Sequence, residues 1–416
     1  MTHRIVVLGA GTGGTLVANR LRRAYSPVEA QITVIDEVDV PLYQPGLLFV
    51  PFGLTNVQKI SRPTSRQLHA GIAFIKSPVK LVNIEANSVL LEDGRVEHYD
   101  LLVIATGSVL VPDETEGLSG TAWNKRVFTF YEPSSAAALS RALAEFEGGT
   151  IVVNVIDMPI KCPVTPLEFC FLADWYFRRR GIRQKVKIIY ATPLDGVFTT
   201  PIASRLLAGM LDEKGIDLVS EFNTGKVDGE TCKLSSYDGR EIAFDLAVVV
   251  PLHGGAAYVD RSPGLGDEFN FVRCDKRTLQ SLCSPNIFAI GDAADLPASK
   301  AGSVTHFEGE VLVENVCHFL AHEPLSGNFD GHSNCFIESG FNRALLIDFN
   351  YETEPLPGHF PFAVGLPLLK ESRLNHLGKL LFQWIYWNLL LPGRDLPGLR
   401  SAMPKHGKHL SQARER

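Results

Sequence analysis

Short apolar runs alternate along this chain with amphipathic segments of helical period, a pattern typical of a parallel α/β protein. The N-terminal region shows it first. The apolar run RIVVLG is followed by the glycine turn GAGTGG, the amphipathic segment TLVANRLRRAY and a second apolar run, QITVIDE. Strand, helix and strand in this order predict a βαβ unit.

The glycine turn of this unit has the spacing GxGxxG. Gly9 permits the tight turn, Gly11 lets the backbone approach a pyrophosphate, and Gly14 allows the helix to pack closely against the strand. Asp36 lies about twenty residues further on, where a carboxylate would accept a ribose hydroxyl. A tight structural turn is the alternative, but strand, helix and acid together favour binding of a dinucleotide.

Two more apolar runs end in residues suited to the same ligand. YDLLVIATGS ends in Ala105, Thr106 and Gly107, and NIFAIGDAAD reaches Gly291 and Asp292 before an expected helix. Because aspartate also suits an N-cap or a turn, the second motif alone would be read that way. After the first βαβ unit, a cofactor role is the better interpretation.

Composition changes this picture little. The chain has 416 residues, 45% hydrophobic and 21% charged, which predicts a globular protein of roughly two or three domains. The seven cysteines form no CxxC pair, so neither a zinc site nor a secreted disulfide framework is indicated. A strand so close to Met1 leaves no room for a signal peptide, and we therefore expect the protein to lie at the cytoplasmic side of the cell membrane.

The run IVVNVID leads into MPIKCPVTPLE, which contains no glycine. Side chains and proline would meet a pyrophosphate there, so binding of a pyridine nucleotide is not expected. Thr165 and Glu168 have capping-box spacing around Pro166, which predicts a helix from Pro166 onward. Cys162 would precede this helix beside Lys161, and both features favour its thiolate. The alternative is a small buried residue.

Five other cysteines occupy contexts without a basic or paired partner and are expected to be structural: Cys170, Cys232, Cys274, Cys283 and Cys317. Cys335 differs, because it lies in the segment SNCFIESGFNRALLIDFNY. That segment, together with KCPVTPLE and the later FQWIYWNLLLPGRDLPG, resembles the sulfide:quinone oxidoreductases of the flavoprotein disulfide reductase superfamily. The resemblance extends over nearly the whole chain.

The resemblance implies bound FAD, with Asp292 at the ribityl chain. It also implies that Cys162 and Cys335 lie on one face of the flavin ring and hold a sulfur bridge. Many members carry a third cysteine near the start of the second domain. GTAWNKRVFTFYEPSS has none, so non-covalent FAD and a two-cysteine mechanism are expected.

The implied fold is α/β with two Rossmann-like dinucleotide-binding domains, the second inserted in the first, and a C-terminal membrane-associating segment. The FAD-binding domain would comprise 1–112 and 252–323, the second domain 113–251, and the C-terminal region 324–416.

The C-terminal region is basic. From Lys370 onward nine lysines and arginines oppose three acids, so this tail carries +6 while the whole chain carries −6. No nucleic-acid motif accompanies the charge, and an anionic lipid surface is the expected partner. Leu380 to Leu391 form an apolar run of twelve residues, fewer than the roughly twenty that span a bilayer. We expect this run to lie in the membrane interface, with three aromatic residues at headgroup depth and two flanking bases: Trp384, Tyr386, Trp387, Lys379 and Arg394. A core or dimer-interface helix is the alternative.

By resemblance, GSVTHFEGEVLVENV and ESGFNRALL should line a route for membrane quinone. Phe307 and Phe341 are candidates to pack on the quinone ring, although core packing is an alternative for each. His306 and Glu308 are candidate proton partners, because quinone reduction consumes protons.

These expectations describe a peripheral membrane flavoenzyme, open to homo-oligomerisation, that oxidises sulfide to polysulfide or sulfur and reduces quinone. One rival is a type II NADH:quinone dehydrogenase, which would require glycines between Met158 and Pro163. A flavocytochrome sulfide dehydrogenase subunit would need export. A non-catalytic FAD-binding redox sensor would not need both cysteines.

Overall fold

A computed structural model describes residues 2–396 and 399–409 of the chain. The basic residues Arg414 and Arg416 of the tail lie outside this range. The α-helices, numbered in chain order, are α1 Thr12–Ala24, α2 Pro133–Glu145, α3 Thr165–Arg179, α4 Pro201–Glu213, α5 Ala257–Asp260, α6 Gly302–Leu320 and α7 Arg373–Ile385.

Two five-stranded parallel sheets form the centre of the molecule. In spatial order the first contains Ile287–Ala289, Leu101–Ile104, His3–Leu8, Ala30–Asp36 and Ile72–Lys76, and the second contains Ile216–Val219, Val186–Ala191, Gly149–Val155, Leu246–Val250 and Val127–Phe128. Inner strands such as Leu101–Ile104 and Leu246–Val250 are buried throughout, because helices cover both faces of such sheets. The predicted α/β fold is therefore confirmed.

The second sheet is built from chain that interrupts the first. The first sheet uses strands up to Ile104 and then the strand Ile287–Ala289, whereas every strand of the second lies between Val127 and Val250. Val109–Leu110 pairs with His253–Gly254 where the chain leaves and returns. The domain limits at 112, 251 and 323 stay predictions.

Smaller sheets surround these two, and within the described residues all of them are antiparallel except the parallel pair of Val272–Arg273 with Ala294–Asp295. One three-stranded sheet contains Val79–Asn83, Ser88–Leu91 and Val96–His98, and another contains Thr224–Asp228, Lys233–Ser236 and Glu241–Ala243. Two short pairs join Val272–Arg273 to Ala294–Asp295 and Gly358–Phe360 to Leu366–Leu368. The C-terminal hairpin pairs Ser333–Gly340 with Arg343–Phe349. It packs between α3 and α7, and so brings the C-terminal region against the second sheet.

The last described residues are fastened to this hairpin by a buried ionic cluster. Asp348 accepts a hydrogen bond from His332 Nε2 at 2.7 Å and pairs with the Lys408 ammonium. Burial alone would raise the pKa of Asp348, but His332 and Lys408 outweigh it and hold that pKa below its usual value. Lys408 therefore anchors the C-terminal segment from inside the protein.

Two local expectations are wrong. Helix α3 begins at Thr165 after Val164, without a side-chain cap, so Thr165 and Glu168 do not form a capping box. After the strand Ile287–Ala289 the chain makes only a short 3₁₀ turn, Gly291–Ala293, and the next long helix begins at Gly302. Asp292 therefore lies in a turn ahead of a loop.

Helix α7 separates the aromatic residues expected at a membrane surface. Its outer face exposes Leu374, Leu377, Leu380, Leu381 and Trp384, each between 51% and 59%. Tyr386 and Trp387, in the π-helical turn Tyr386–Leu390 that follows, are buried. Lys379 is also buried, so neither these two rings nor Lys379 is available to lipid. Across the described ranges, no helix is both long and apolar enough to traverse a bilayer.

Candidate active site

A cavity of about 330 Å³ opens between the first sheet, the loop before α3 and the C-terminal hairpin. It brings together most of the residues predicted from sequence: Gly11, Asp36, Ala105, Thr106, Gly107, Cys162, Gly291, Asp292 and Cys335. Residues from five separate parts of the chain therefore share one site.

The glycine turn has the shape that a dinucleotide requires. Gly9 has φ +97°, and a Cβ there would come within 2.4 Å of the Ala105 carbonyl oxygen. A Cβ on Gly14 would lie 1.8 Å from the Gly9 carbonyl oxygen, so the helix approaches the strand too closely for any side chain. A Cβ added to Gly11 would have no atom within 4 Å, so the backbone there is open to a ligand.

Two acids fix the loops around this cradle. The Asp36 carboxylate accepts hydrogen bonds from Ala10 N at 2.6 Å and Val38 N at 2.8 Å. Glu308 accepts one from Gly291 N at 2.7 Å, and burial raises its pKa to about 7. The residues present therefore fit a dinucleotide lying from Asp36 past Gly11 towards Asp292.

Cys162 lies at the end of the cavity nearest the second sheet. Its φ is +46°, in the left-handed region that few non-glycine residues adopt. The backbone is held there by Cys162 N donating to the Lys300 carbonyl at 2.7 Å, and by Thr165 N donating to the Cys162 carbonyl at 2.9 Å. The strained conformation directs this residue into the cavity wall, where it lines the site.

Cys335 reaches the same cavity from the strand Ser333–Gly340. Both cysteines are free thiols. Burial first, and then the nearby Glu168 carboxylate, raises the pKa of Cys162 to about 11. Burial and the neighbouring Cys162 raise the pKa of Cys335 well above its usual value. The expectation that Lys161 and the helix end favour the Cys162 thiolate is therefore wrong in this reduced state.

The charges nearest the thiols form a buried ion pair. Glu168, in the first turn of α3, accepts from the Lys379 ammonium and, at 2.5 Å, from Glu338 N. Burial raises the pKa of Glu168, while Lys379 opposes that rise. Glu168 thus joins α3 to both the C-terminal hairpin and α7, a role different from the helix cap expected of it.

A second cavity, of about 280 Å³, lies on the other side of this ion pair. Its apolar wall contains Phe49, Leu54, Leu172, Trp175, Phe341 and Leu380. Tyr43 and Lys379 line both cavities, so the two cavities adjoin at these side chains. The second cavity borders the exposed face of α7 through Leu380, which is 52% exposed.

The four residues predicted to line a quinone route are not brought together. Phe341 lines the second cavity. Phe307 stacks on His332, with ring centroids 3.9 Å apart, and His306 is buried beside Glu310. Glu308 holds the turn at Gly291. Because these contacts occupy Phe307, His306 and Glu308, helix α6 does not present them to an open route.

Sequence reasoning did not identify Glu338 or His376 as site residues, and it assigned Lys379 to the membrane surface instead of the site. His376 Nδ1 lies 2.9 Å from Glu338 Oε2, and both residues line the second cavity. The sequence did contain a signal for this polar face, since His376 and Lys379 are three residues apart in an amphipathic segment. That spacing puts them on one face of a helix.

Comparisons with known proteins agree with this arrangement. Residues 3–308 match the family described as pyridine nucleotide-disulphide oxidoreductase. The mitochondrial sulfide:quinone oxidoreductases of Dictyostelium discoideum and Mus musculus are each 27% identical to this chain, over 94% of its length and 86% and 87% of theirs. The solved sulfide:quinone oxidoreductase of Aquifex aeolicus superposes with a TM-score of 0.78 at 21% identity, covering 94% of this chain and 92% of that one.

The family match spans most of the chain, and the resemblance to sulfide:quinone oxidoreductases that was inferred from its motifs is confirmed over nearly its full length. The chain belongs to the pyridine nucleotide-disulphide oxidoreductase family.

Proposed function

We propose that this chain is an FAD-dependent sulfide:quinone oxidoreductase in which Cys162 and Cys335 are the redox pair. The observation that carries the proposal is their common position in the cofactor cavity, in a chain whose second glycine turn has been replaced by Met158–Pro163. An enzyme that takes hydride from a pyridine nucleotide would need that glycine turn to bind the nucleotide. Sulfide needs only the sulfur pair.

The thiol chemistry can be written without further groups. With the pair oxidised to a bridge, hydrosulfide attacks one sulfur, a new S–S bond forms, and the other cysteine leaves as a thiolate. Glu168 and Lys379 are the charged side chains nearest this step. The lysine opposes the electrostatic cost of a thiolate beside a carboxylate.

FAD, when bound, would accept the two electrons of sulfide oxidation and pass them to quinone. Gly11 and Asp36 would hold its adenosine and pyrophosphate end, and Asp292 its ribityl chain. The cysteines lining this cavity are the redox pair itself. We expect FAD to be held non-covalently, because among the described residues no third cysteine lines this cavity.

We place quinone in the second cavity and lipid against the outer face of α7. The apolar wall around Trp175 and Phe341 suits a planar ring, and the exposed leucines of α7 lie at its entrance. Lipid contact through such a face scales with buried apolar area. A Leu377→Glu variant should therefore lose sedimentation with anionic vesicles. Leu282→Glu, at a leucine that is even more exposed but lies outside this region, should retain it.

The test of function is anaerobic stopped-flow absorbance of the FAD-loaded protein mixed with sulfide. Rapid flavin bleaching, lost in Cys162→Ser and Cys335→Ser but kept in Cys170→Ser, would support the proposal, because Cys170 is fully buried within α3. Reoxidation by added quinone identifies the acceptor. Bleaching by NADH without bleaching by sulfide would instead establish the dehydrogenase.

A further inference from the structure

Quinone reduction in this protein requires a proton donor that the thiol site does not provide. Oxidation of hydrosulfide to the level of elemental sulfur releases two electrons and one proton, whereas reduction of quinone to quinol consumes two electrons and two protons. One proton per turnover must therefore come from solvent to the second cavity. The proposed function leaves its carrier unassigned.

The titratable side chains that line the second cavity are Tyr43, Glu338, His376 and Lys379. Burial holds the pKa of Tyr43 well above its usual value, which makes its hydroxyl a poor acid. Lys379 is paired with Glu168. Glu338 is 2% exposed and acts as an acceptor towards His376. Tyr43, Lys379 and Glu338 are all buried, so His376 is the member of this set that reaches solvent.

The geometry of His376 suits proton transfer. Its Nδ1 donates to Glu338 Oε2 at 2.9 Å, which fixes the ring and leaves Nε2 free of hydrogen bonds to any described residue. The side chain is 17% exposed, so the ring can be reprotonated from solvent. Glu338 sits on the same strand as Cys335 and donates its own N–H to Glu168, so the hairpin that positions the thiols also positions this carboxylate.

We propose that His376, oriented by Glu338, is the general acid that protonates quinone in the second cavity. The proposal rests on the assignment of quinone to that cavity. In the step, the protonated ring gives its Nε2 proton to a quinone oxygen as the two electrons arrive from the flavin. The Glu338 carboxylate offsets the imidazolium charge before transfer, and solvent restores the proton afterwards.

The experiment uses FAD-loaded protein reduced with dithionite, so that it does not depend on sulfide as donor. Reoxidation by a short-chain ubiquinone should be about 100-fold slower in His376→Ala than in the wild type, within the usual contribution of a general acid. Added imidazole should restore much of the rate. Reoxidation by ferricyanide, which takes electrons without protons, should be unchanged.

A binding measurement separates proton delivery from a damaged cavity. Quenching of Trp175 fluorescence by the oxidised quinone should give similar Kd values for wild type, His376→Ala and His376→Gln. Equal quinone reoxidation rates in wild type and His376→Ala would overturn the proposal, as would a parallel loss with ferricyanide or the absence of imidazole rescue. If sulfide fails to bleach the wild-type flavin while these results hold, the donor assignment fails and the general acid stands.

Discussion

Removing Lys379 alone should destabilise this protein, because it would leave the Glu168 carboxylate buried without a counter-charge. The two side chains are 10% and 2% exposed, and Lys379 is the cation paired with Glu168 within the described residues. In Lys379→Met the carboxylate keeps its hydrogen bond from Glu338 N at 2.5 Å. That single bond does not replace a full positive charge.

The expected loss of stability in Lys379→Met follows from the general behaviour of buried ion pairs. Removing one partner costs about 3–5 kcal/mol, whereas replacing both is often nearly neutral. For a chain of 416 residues the unfolding entropy is about 0.9 kcal/mol/K, so the melting temperature should fall by about 3–6 °C. In the double variant Lys379→Met/Glu168→Gln, glutamine still accepts from Glu338 N but carries no charge. The double variant should recover most of the loss.

The pH dependence gives a second test of the same reasoning. Burial already raises the pKa of Glu168, and loss of Lys379 would raise it further. A carboxyl group with a raised pKa in the folded state binds its proton more tightly there than in the unfolded chain, so its ionisation lowers stability as pH rises. Lys379→Met should therefore lose more at about pH 8 than at about pH 5.5.

Thermal unfolding of the four proteins of this cycle, followed by circular dichroism, measures both effects. The reasoning is refuted if the double variant melts as low as Lys379→Met, since neutralising Glu168 would then relieve nothing. A loss that does not change with pH would refute it equally.

Three further predictions follow from other contacts. Glu168→Gln should lower the pKa of Cys162 from about 11, because it removes a neighbouring negative charge, and alkylation by iodoacetamide at alkaline pH should be faster than in wild type. The methyl group of Gly11→Ala would meet open space in the protein, so the FAD-free variant should keep the melting temperature of the wild type. Its affinity for FAD, measured by fluorescence titration, should fall about tenfold or more because the methyl group occupies the space left for the ligand. Lys408→Met should cost about 3–5 kcal/mol by leaving its carboxylate partner buried, whereas the exposed Lys405→Met should stay within about 0.5 kcal/mol in urea unfolding.

Local sequence rules were sufficient for the first βαβ unit. The predicted strand, glycine turn, helix and strand correspond to His3–Leu8, α1 and Ala30–Asp36. Periodicity and glycine spacing depend on residues close together in the chain, and they determine the local backbone. The steric reasons assigned to Gly9 and Gly14 correspond to contacts of 2.4 Å and 1.8 Å that an added Cβ would make.

The same rules failed at Glu168, because a contact across 211 residues decides its role. The capping-box spacing is a local signal, whereas Lys379 arrives from α7 and leaves no trace near Glu168 in the sequence. The prediction that Tyr386 and Trp387 lie at a membrane surface failed for a related reason. An apolar aromatic segment suits a membrane surface or a protein interior equally. The observed packing of Tyr386 against Tyr43, and of Trp387 against Tyr386, distinguishes the two.

The loop before α3 contains no glycine between Met158 and Pro163, and it places Cys162 in the cavity wall. Cys162 adopts φ +46°, a conformation in which glycine would be less strained by about 1–2 kcal/mol. Retaining cysteine there is costly unless its sulfur is used, and an outlier of this kind points to function. Cys162 lines the same cavity as Cys335, and the helix that starts three residues later carries Glu168 into the same wall. A Cys162→Gly substitution would therefore relieve the strain and remove the thiol at once.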